Sequence, residues 1–443
     1  MTERLAIIST SDRAQFRGCR RKWDWSSHLR QGFAPHEQAT PLWFGSGFHH
    51  CMEDIHGLQA YENNRQAWDD YSQATTKFYG DDGLPYDKEE LGDLGVGILD
   101  YYEDVWLKAR GRDPLTTYEI DGEPQVEVPF EFEVPVDPAI LKAGGYDRAV
   151  YKGVIDRMVI DRHGHLYIVD YKSVKTFGNR QSLELDPQIG VYLWAATAIF
   201  KRPVMGFYYM QFKKTAAHPP NINKNGEMSV AKNQSTSYWM IRKYMIEKYG
   251  SVEKGPITER DFLNHFLEFE DDDKDNFIQR TLVTRDPRTL EQESKIVIAE
   301  VADMLTKELS IYPNPNFLCG ATCAFVQPCI EMNQGLNFQE TLKADYYLRD
   351  YKERSSWSQY LEVNPHGGKE DRKASGLDVL PTTAANKANT KKVRPQGKGT
   401  GTPKSVGVGV TKSTTTTAKP KGKSSAQQRI LERKKKRAEK TKA

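Results

Sequence analysis

The stretch GVIDRMVIDRHGHLYIVDYKSVKTFGNRQSLELDPQIGVY, residues 153–192, decides the fold. Two largely apolar runs, 149–160 and 166–172, flank a short polar break with a single glycine, which is the local signature of a β-hairpin. A three-residue loop of Arg162, His163 and Gly164 puts Gly164 in the left-handed position that such loops require. In that register Asp161 faces His165, and counting back along both strands sets Asp156 opposite Asp170. Side chains alternate faces with period two, so Lys172 shares that face with Met158, Ile160, Leu166 and Ile168. Two carboxylates and one ammonium therefore meet at the open end of the hairpin, beside a dry wall.

Carboxylates opposite each other on a sheet repel. A hard divalent cation, which takes carboxylate oxygens, is the simplest compensation. Such an ion polarises a phosphate and activates water, while Lys172 orients or deprotonates that water and stabilises developing charge. A salt-bridged, solvated hairpin end would give the same D-x-K pattern, so the flanking sequence carries the weight. Downstream, Asp186-Pro187 opens the apolar run 189–200 as an N-cap followed by proline would. Gln188 and Tyr192 then lie one turn apart on one helix face. Upstream, FGSGFHHCMEDIHG (44–57) predicts a helix entered through Gly-Ser-Gly, with Glu53 one turn beyond His49 as a supporting partner. QVEVPFEFEV (125–134) alternates into a strand with one wet face, and Pro129 argues for an edge position. Its glutamates are expected in solvent, with Glu127 within approach of a metal.

At G153-V-I-D156, I168-V-D170-Y-K172 and Q188-I-G-V-Y192 the chain resembles the PD-(D/E)XK nuclease superfamily, and within it the RecB-like branch. The resemblance covers most of residues 1–350. It implies an α/β, restriction-endonuclease-like domain: a mixed sheet flanked by helices. It also implies that Asp156, Asp170 and the main-chain carbonyl of Tyr171 ligate metal, that Lys172 serves the attacking water, and that Gln188 and Tyr192 lie near the nucleic-acid backbone. The branch's G-x-x-x-H motif supplies a further ligand; Gly45 to His49 keeps that spacing and His50 does not. Imidazole suits Mn²⁺ better than Mg²⁺, so Mn²⁺ should serve at least as well.

Near the end of the folded part, YPNPNFLCGATCAFVQPC (312–329) spaces Cys319, Cys323 and Cys329 as C-x3-C-x5-C. Three clustered cysteines want a fourth soft ligand, and four suit zinc or an iron–sulfur cluster. In the RecB-like branch one cysteine before the nuclease core and three after it hold a 4Fe–4S cluster. The resemblance thus implies that Cys19, in GCRRKWDW, joins the other three and that the cluster staples the chain ends; zinc is the alternative. Cys19 is expected on a helix capped within residues 9–12 and running through Phe16, Trp23 and Trp25. Cys51 falls outside the pattern and is expected to be packed. Five cysteines in 443 residues make no secreted disulfide scaffold.

Charge is unevenly placed. From residue 381 to the end, 18 Lys/Arg face two acids, Glu432 and Glu439; with +3 overall, residues 1–380 carry −13. The expected organisation is a nuclease domain over 1–350, a linker over 351–380 and a disordered basic tail over 381–443, in which 426–442 offers a short basic helix for nucleic acid. GKGTGTPKS in the tail lacks P-loop spacing. Within the body, 58–112 reads as helical, 204–213 as an aromatic strand beside the hairpin, 219–237 as a polar loop and 238–310 as mostly helical. No run approaches the ~20 apolar residues of a membrane span, and the N-terminus is too charged for a signal peptide, which together predict a cytoplasmic protein. The function implied is a metal-dependent DNA exonuclease acting on single-stranded ends in recombination, repair or phage DNA processing. Recombination or single-strand-binding proteins are candidate partners. The alternatives are an endonuclease, including the type that trims DNA for CRISPR adaptation, and a non-catalytic DNA-binding protein that bears the cluster.

Overall fold

The computed structural model describes residues 3–349 apart from Arg112. The expected linker at 351–380 and basic tail at 381–443 lie outside the described residues. The main elements, in chain order, are β1 (Leu5–Ser9), α1 (Thr10–Gly18), α2 (Arg20–Ser26), α3 (Thr40–Glu53), α4 (Asn64–Tyr79), α5 (Lys88–Tyr101), β2 (Val126–Val134), β3 (Arg148–Ile160), β4 (Leu166–Val174), α6 (Gln188–Phe200), β5 (Val204–Lys213), β6 (Ile278–Val283) and α7 (Pro287–Leu305). The fold is α/β, a mixed sheet between two helical layers.

The sheet runs β1-β3-β4-β5-β6, with β2 and the short strand Thr116–Thr117 also paired to β3. β1 is parallel to β3 and β4 to β5, while β2/β3, β3/β4 and β5/β6 are antiparallel. On one face Phe16 of α1, Ile189 and Leu193 of α6 and Val297 and Val301 of α7 pack with Met158, Leu166 and Ile168. On the other, Trp43 and Phe48 of α3, Trp68 and Tyr71 of α4 and Leu99 of α5 pack with Val159, Val169 and Tyr171. The hairpin strands are covered on both sides, so they read as nearly continuous apolar runs. As its proline suggested, β2 is an edge strand, paired among the described residues only with β3.

Two local expectations are corrected. The N-terminal helix is two helices: Ser9 caps α1 by accepting from Asp12 N (3.2 Å), but Cys19 is extended (φ −164°, ψ 111°) and separates α1 from α2. The residues before it form β1, LAIIS, with its side chains alternating between buried and half-buried. The helix around His49 begins at Thr40, with Pro41 in its first turn, and Gly45 and Gly47 lie inside it. Gly47 is there for contact, since a Cβ would stand 2.7 Å from the Tyr71 ring. The stretch 238–310 is mostly helical as expected, with β6 set within it; pairing with the long aromatic β5 outweighs its short local signal.

Candidate active site

The hairpin has the register read from the sequence. Ile160 pairs with Leu166, Met158 with Ile168 and Arg157 with Val169, Asp161 N donates to His165 O (3.1 Å), and Gly164 is left-handed (φ +77°). Beyond Arg157 and Val169 the ladder stops. β4 pairs with β3 over 157–160, while β1 pairs with β3 over 148–152. Both partners use the same edge, because β2 holds the other along 149–157. A notch is left between them at the level of Asp156. There the Asp156 carboxylate stands in for a ladder rung, accepting from Tyr171 N at 2.9 Å.

Strict alternation also slips at this level. Ile155 and Met158 sit in the same core, so the strand turns by one residue across Asp156 and Arg157. Opposite, β2 pairs Val126 with Arg157 and Val128 with Ile155, and the residue between, Glu127, has φ +47°. A glutamate in the left-handed region is strained, and irregularities of this kind re-aim side chains. Here the twist delivers two carboxylates, Glu127 and Asp156, to the notch.

His49 completes the group from α3. Its Nδ1 is 3.4 Å from Asp156 Oδ2 and 4.0 Å from Glu127 Oε1. Ligand atoms of His49, Glu127 and Asp156 all lie within 4.8 Å of one another. His50 points elsewhere, its ring 5.8 Å from Tyr61 and 6.1 Å from Tyr71. Glu53 is sensed by His50, whose pKa is lowered chiefly by burial. Glu127, expected on a wet strand face but within approach of a metal, belongs to this group. Its missing signal is the β2/β3 register, which links residues almost thirty positions apart.

On the hairpin's second strand Asp170 Oδ1 accepts from Lys172 Nζ (2.9 Å) and Gln188 Nε2 (2.8 Å). Gln188 is set by the Asp186 cap, which accepts from its backbone N–H at 2.8 Å. Burial pushes the Asp170 carboxyl up to about 6, with Lys172 opposing the shift and Asp156 adding to it. Burial alone would lower Lys172, but the carboxylates of Asp170 and Asp156 outweigh it and raise its pKa. Lys172 is thus a held cation. Glu127, Asp156 and Asp170 against one ammonium leave a formal charge of about −2, which one divalent cation cancels. Tyr192 is in the core rather than at the surface, its ring 5.1 Å from Phe130 and edge-on to it.

Beneath the site, a buried group that the sequence did not announce holds Tyr171. Its hydroxyl accepts from Arg157 Nη1 (3.3 Å), and His56 stacks on its ring at 6.1 Å. His56 in turn is 2.9 Å from the Tyr102 hydroxyl. The backbone N–H that Tyr171 offers to Asp156 is therefore fixed from below.

The four cysteines of the predicted set are free and half-buried. Asn314 N donates to Cys19 Sγ (3.4 Å), Asn316 N to Cys319 Sγ (3.4 Å) and Arg21 Nη1 to Cys329 Sγ (3.3 Å). Burial pushes the Cys323 thiol up, with Lys22 opposing and Cys319 and Cys19 adding to the shift. The extended break at Cys19 is what brings the N-terminal sulfur to the C-terminal three. Trp25, Phe325 and Tyr346 pack with Cys323 and Cys329, and Phe33–Pro35 pairs with Tyr346–Leu348 alongside. Cys51 is fully buried in the helical layer.

Glu127→Gln keeps the size of the side chain and removes a charge from the His49 group. It is expected to weaken Mn²⁺ binding roughly 10-fold, read by calorimetric titration, with the melting temperature of the metal-free protein little changed.

A family model described as the PD-(D/E)XK nuclease superfamily matches residues 7–330. The matched range takes in His49, the whole hairpin and all four cysteines of the set. No curated protein matches the chain. Among the described residues no helix is long and apolar enough to cross a membrane.

Proposed function

Because the chain belongs to the PD-(D/E)XK nuclease superfamily, and so to metal-dependent nucleases, we propose that it is a RecB-like DNA exonuclease that hydrolyses single-stranded ends. The observation that carries this is the convergence of His49, Glu127 and Asp156 within 4.8 Å, beside Asp170 and its ammonium partner Lys172. The donor set of one imidazole and carboxylates fits Mn²⁺ or Mg²⁺. The residues assigned to the metal are His49, Asp156, Asp170 and the Tyr171 carbonyl, with Glu127 added. A divalent cation there supplies Lewis-acid polarisation of a phosphodiester and acidifies water.

The chain's own groups do the rest. Tyr171 N and His49 fix the Asp156 carboxylate, and Gln188 and Lys172 fix Asp170. Lys172, kept charged by both carboxylates, orients the attacking water and stabilises charge on the phosphoryl oxygens.

The cysteines are proposed to hold a 4Fe–4S cluster rather than zinc. N–H donors aimed at the sulfurs suit a thiolate-ligated cluster. Such a group joins the α1–α2 break to residues 319–329 and supports the fold. Recombination, repair or phage DNA processing is the setting proposed for this chemistry.

The test is digestion of 5′-labelled linear single strands beside covalently closed circles of the same sequence, with Mn²⁺, Mg²⁺ or chelator, on protein purified without oxygen. Loss of the linear substrate alone, in the presence of metal, is the expected result. Equal cutting of circles would make the enzyme an endonuclease. A folded, cluster-loaded protein that binds DNA and cuts neither would be a binding protein.

A further inference from the structure

The row of groups on the catalytic face continues past Lys172. β4 and β5 lie parallel, with Asp170 beside Tyr209, Lys172 beside Gln211 and Val174 beside Lys213. Phe207 and Tyr209 belong to the core on the Asp170 face, so Gln211 and Lys213 follow them onto it. Lys213 thus stands two residues, about 6.6 Å of strand, beyond Lys172. The loop after β4 closes over this row. Gly178 N donates to Gln211 Oε1 (3.2 Å), and a Cβ on Gly178 would come within 3.1 Å of Gln211 Nε2. The same loop sets the ring of Phe177 under the Lys213 ammonium, 4.6 Å from Nζ to the ring centre.

Lys152, Lys172 and Lys295 are each bridged to a carboxylate. Among the described residues, Lys213 and Lys214 take part in no ion pair. Burial, and for Lys213 also the ammonium of Lys274, holds both below the usual lysine value, with the Asp275 carboxylate opposing the shift at Lys213. Lys213 stands at the end of β5, the strand parallel to the β4 that carries Asp170 and Lys172, and a phosphate there would give it an anionic partner. Half-buried, the Phe177 ring also offers a surface for a base.

We propose that Lys213, with Gln211 and the ring of Phe177, forms a subsite that holds the backbone phosphate and base of a nucleotide next to the one cut, in a single strand lying along the ends of β4 and β5. The proposal rests on the nuclease reading of the site and extends it from the reacting phosphate to its neighbour. Gln211, buried and tied to Gly178, fixes the floor between the two. An ammonium on the phosphate with an aromatic ring under the base is a sequence-tolerant way to hold a single strand.

The test is fluorescence anisotropy of a short labelled single strand, with Ca²⁺ replacing Mg²⁺ and Mn²⁺, over a range of salt concentrations. Lys213→Gln is expected to raise Kd roughly 5–10-fold at low salt and to flatten the slope of log Kd against log salt by about 0.7, the value for one phosphate contact on a single strand. Phe177→Leu should weaken binding about 5-fold with the slope unchanged, because stacking releases no counterions. Lys213→Arg should stay within about 2-fold of wild type, which separates loss of charge from misfolding. Lys108→Gln, on a lysine paired with Asp104, is the control and should change nothing. Wild-type affinity and salt slope in Lys213→Gln would overturn the subsite. Binding is read without cleavage, so failure of the wild type to cut DNA overturns the nuclease reading alone.

Discussion

Replacing Lys172 with alanine is expected to lower metal-dependent cleavage of single-stranded DNA roughly 10²–10³-fold, the usual cost of removing one charge-stabilising donor at a reacting centre. Nζ lies 2.7 Å from Asp170 Oδ2 and is kept protonated by Asp170 and Asp156. Its charge is therefore available where negative charge grows on the phosphate. The variant still has Glu127, Asp156, Asp170 and His49, so it should bind Mn²⁺ in a calorimetric titration as the wild type does or more tightly, since a competing cation is gone. Lys172→Arg keeps the charge on a longer, planar group and should recover only part of the rate. The decisive comparison is single-turnover cleavage at saturating metal. If Lys172→Ala cut at the wild-type rate, the hairpin would not be the active site.

Cys19→Ala is the second large effect. Its sulfur is the one member of the set contributed by the N-terminal part, held by Asn314 N across nearly three hundred residues. Losing it opens the link between the α1–α2 break and the helical end of the domain, and the apolar packing of Trp25 on Phe325 at 5.8 Å loses its tether. With the proposed 4Fe–4S cluster, the expected results are loss of the brown colour such a cluster gives the wild type, loss of bound iron and acid-labile sulfide, and a fall of roughly 5 °C in the unfolding midpoint, corresponding to about 3–5 kcal/mol for a domain of this size. Cys51→Ala, on a cysteine outside the set, should keep colour and iron. Stoichiometric zinc with no iron or sulfide in the wild type would replace the cluster with a zinc site.

The two variants probe different ranges of the chain. The Lys172 neighbourhood was legible because everything that fixes it lies within about twenty residues. Gly164 sets the loop, the loop sets the register, and period-two alternation carries Asp170 and Lys172 to one face, where Asp156 joins them across the one-residue slip at 156–157. The Asp186-Pro187 cap likewise determines where Gln188 starts its helix and hence its reach to Asp170. Gly45 to His49 was legible as spacing. That His49 meets Asp156 while His50 turns to the aromatic layer follows from how α3 lies across the sheet.

Other features depended on pairings that no local pattern encodes. Glu127 reads as a wet-face residue within approach of a metal; that it meets Asp156 follows only when β2 is laid beside β3, where its left-handed backbone turns it toward Asp156. The notch exists because β1 and β4 share one edge of β3 and leave a gap, and β1 itself is stabilised by that edge more than by its five residues. Tyr192 keeps the helical spacing from Gln188, yet packing against Phe130 draws it into the core.

By itself, then, the sequence determined the hairpin, its register and the residues at its open end, since hydrogen bonding and side-chain alternation act over a few neighbouring residues. Only the tertiary structure decided the third carboxylate, the break at Cys19 and the row that runs on to Lys213. Those depend on which distant strands share an edge, and that is settled by burial summed over the whole domain.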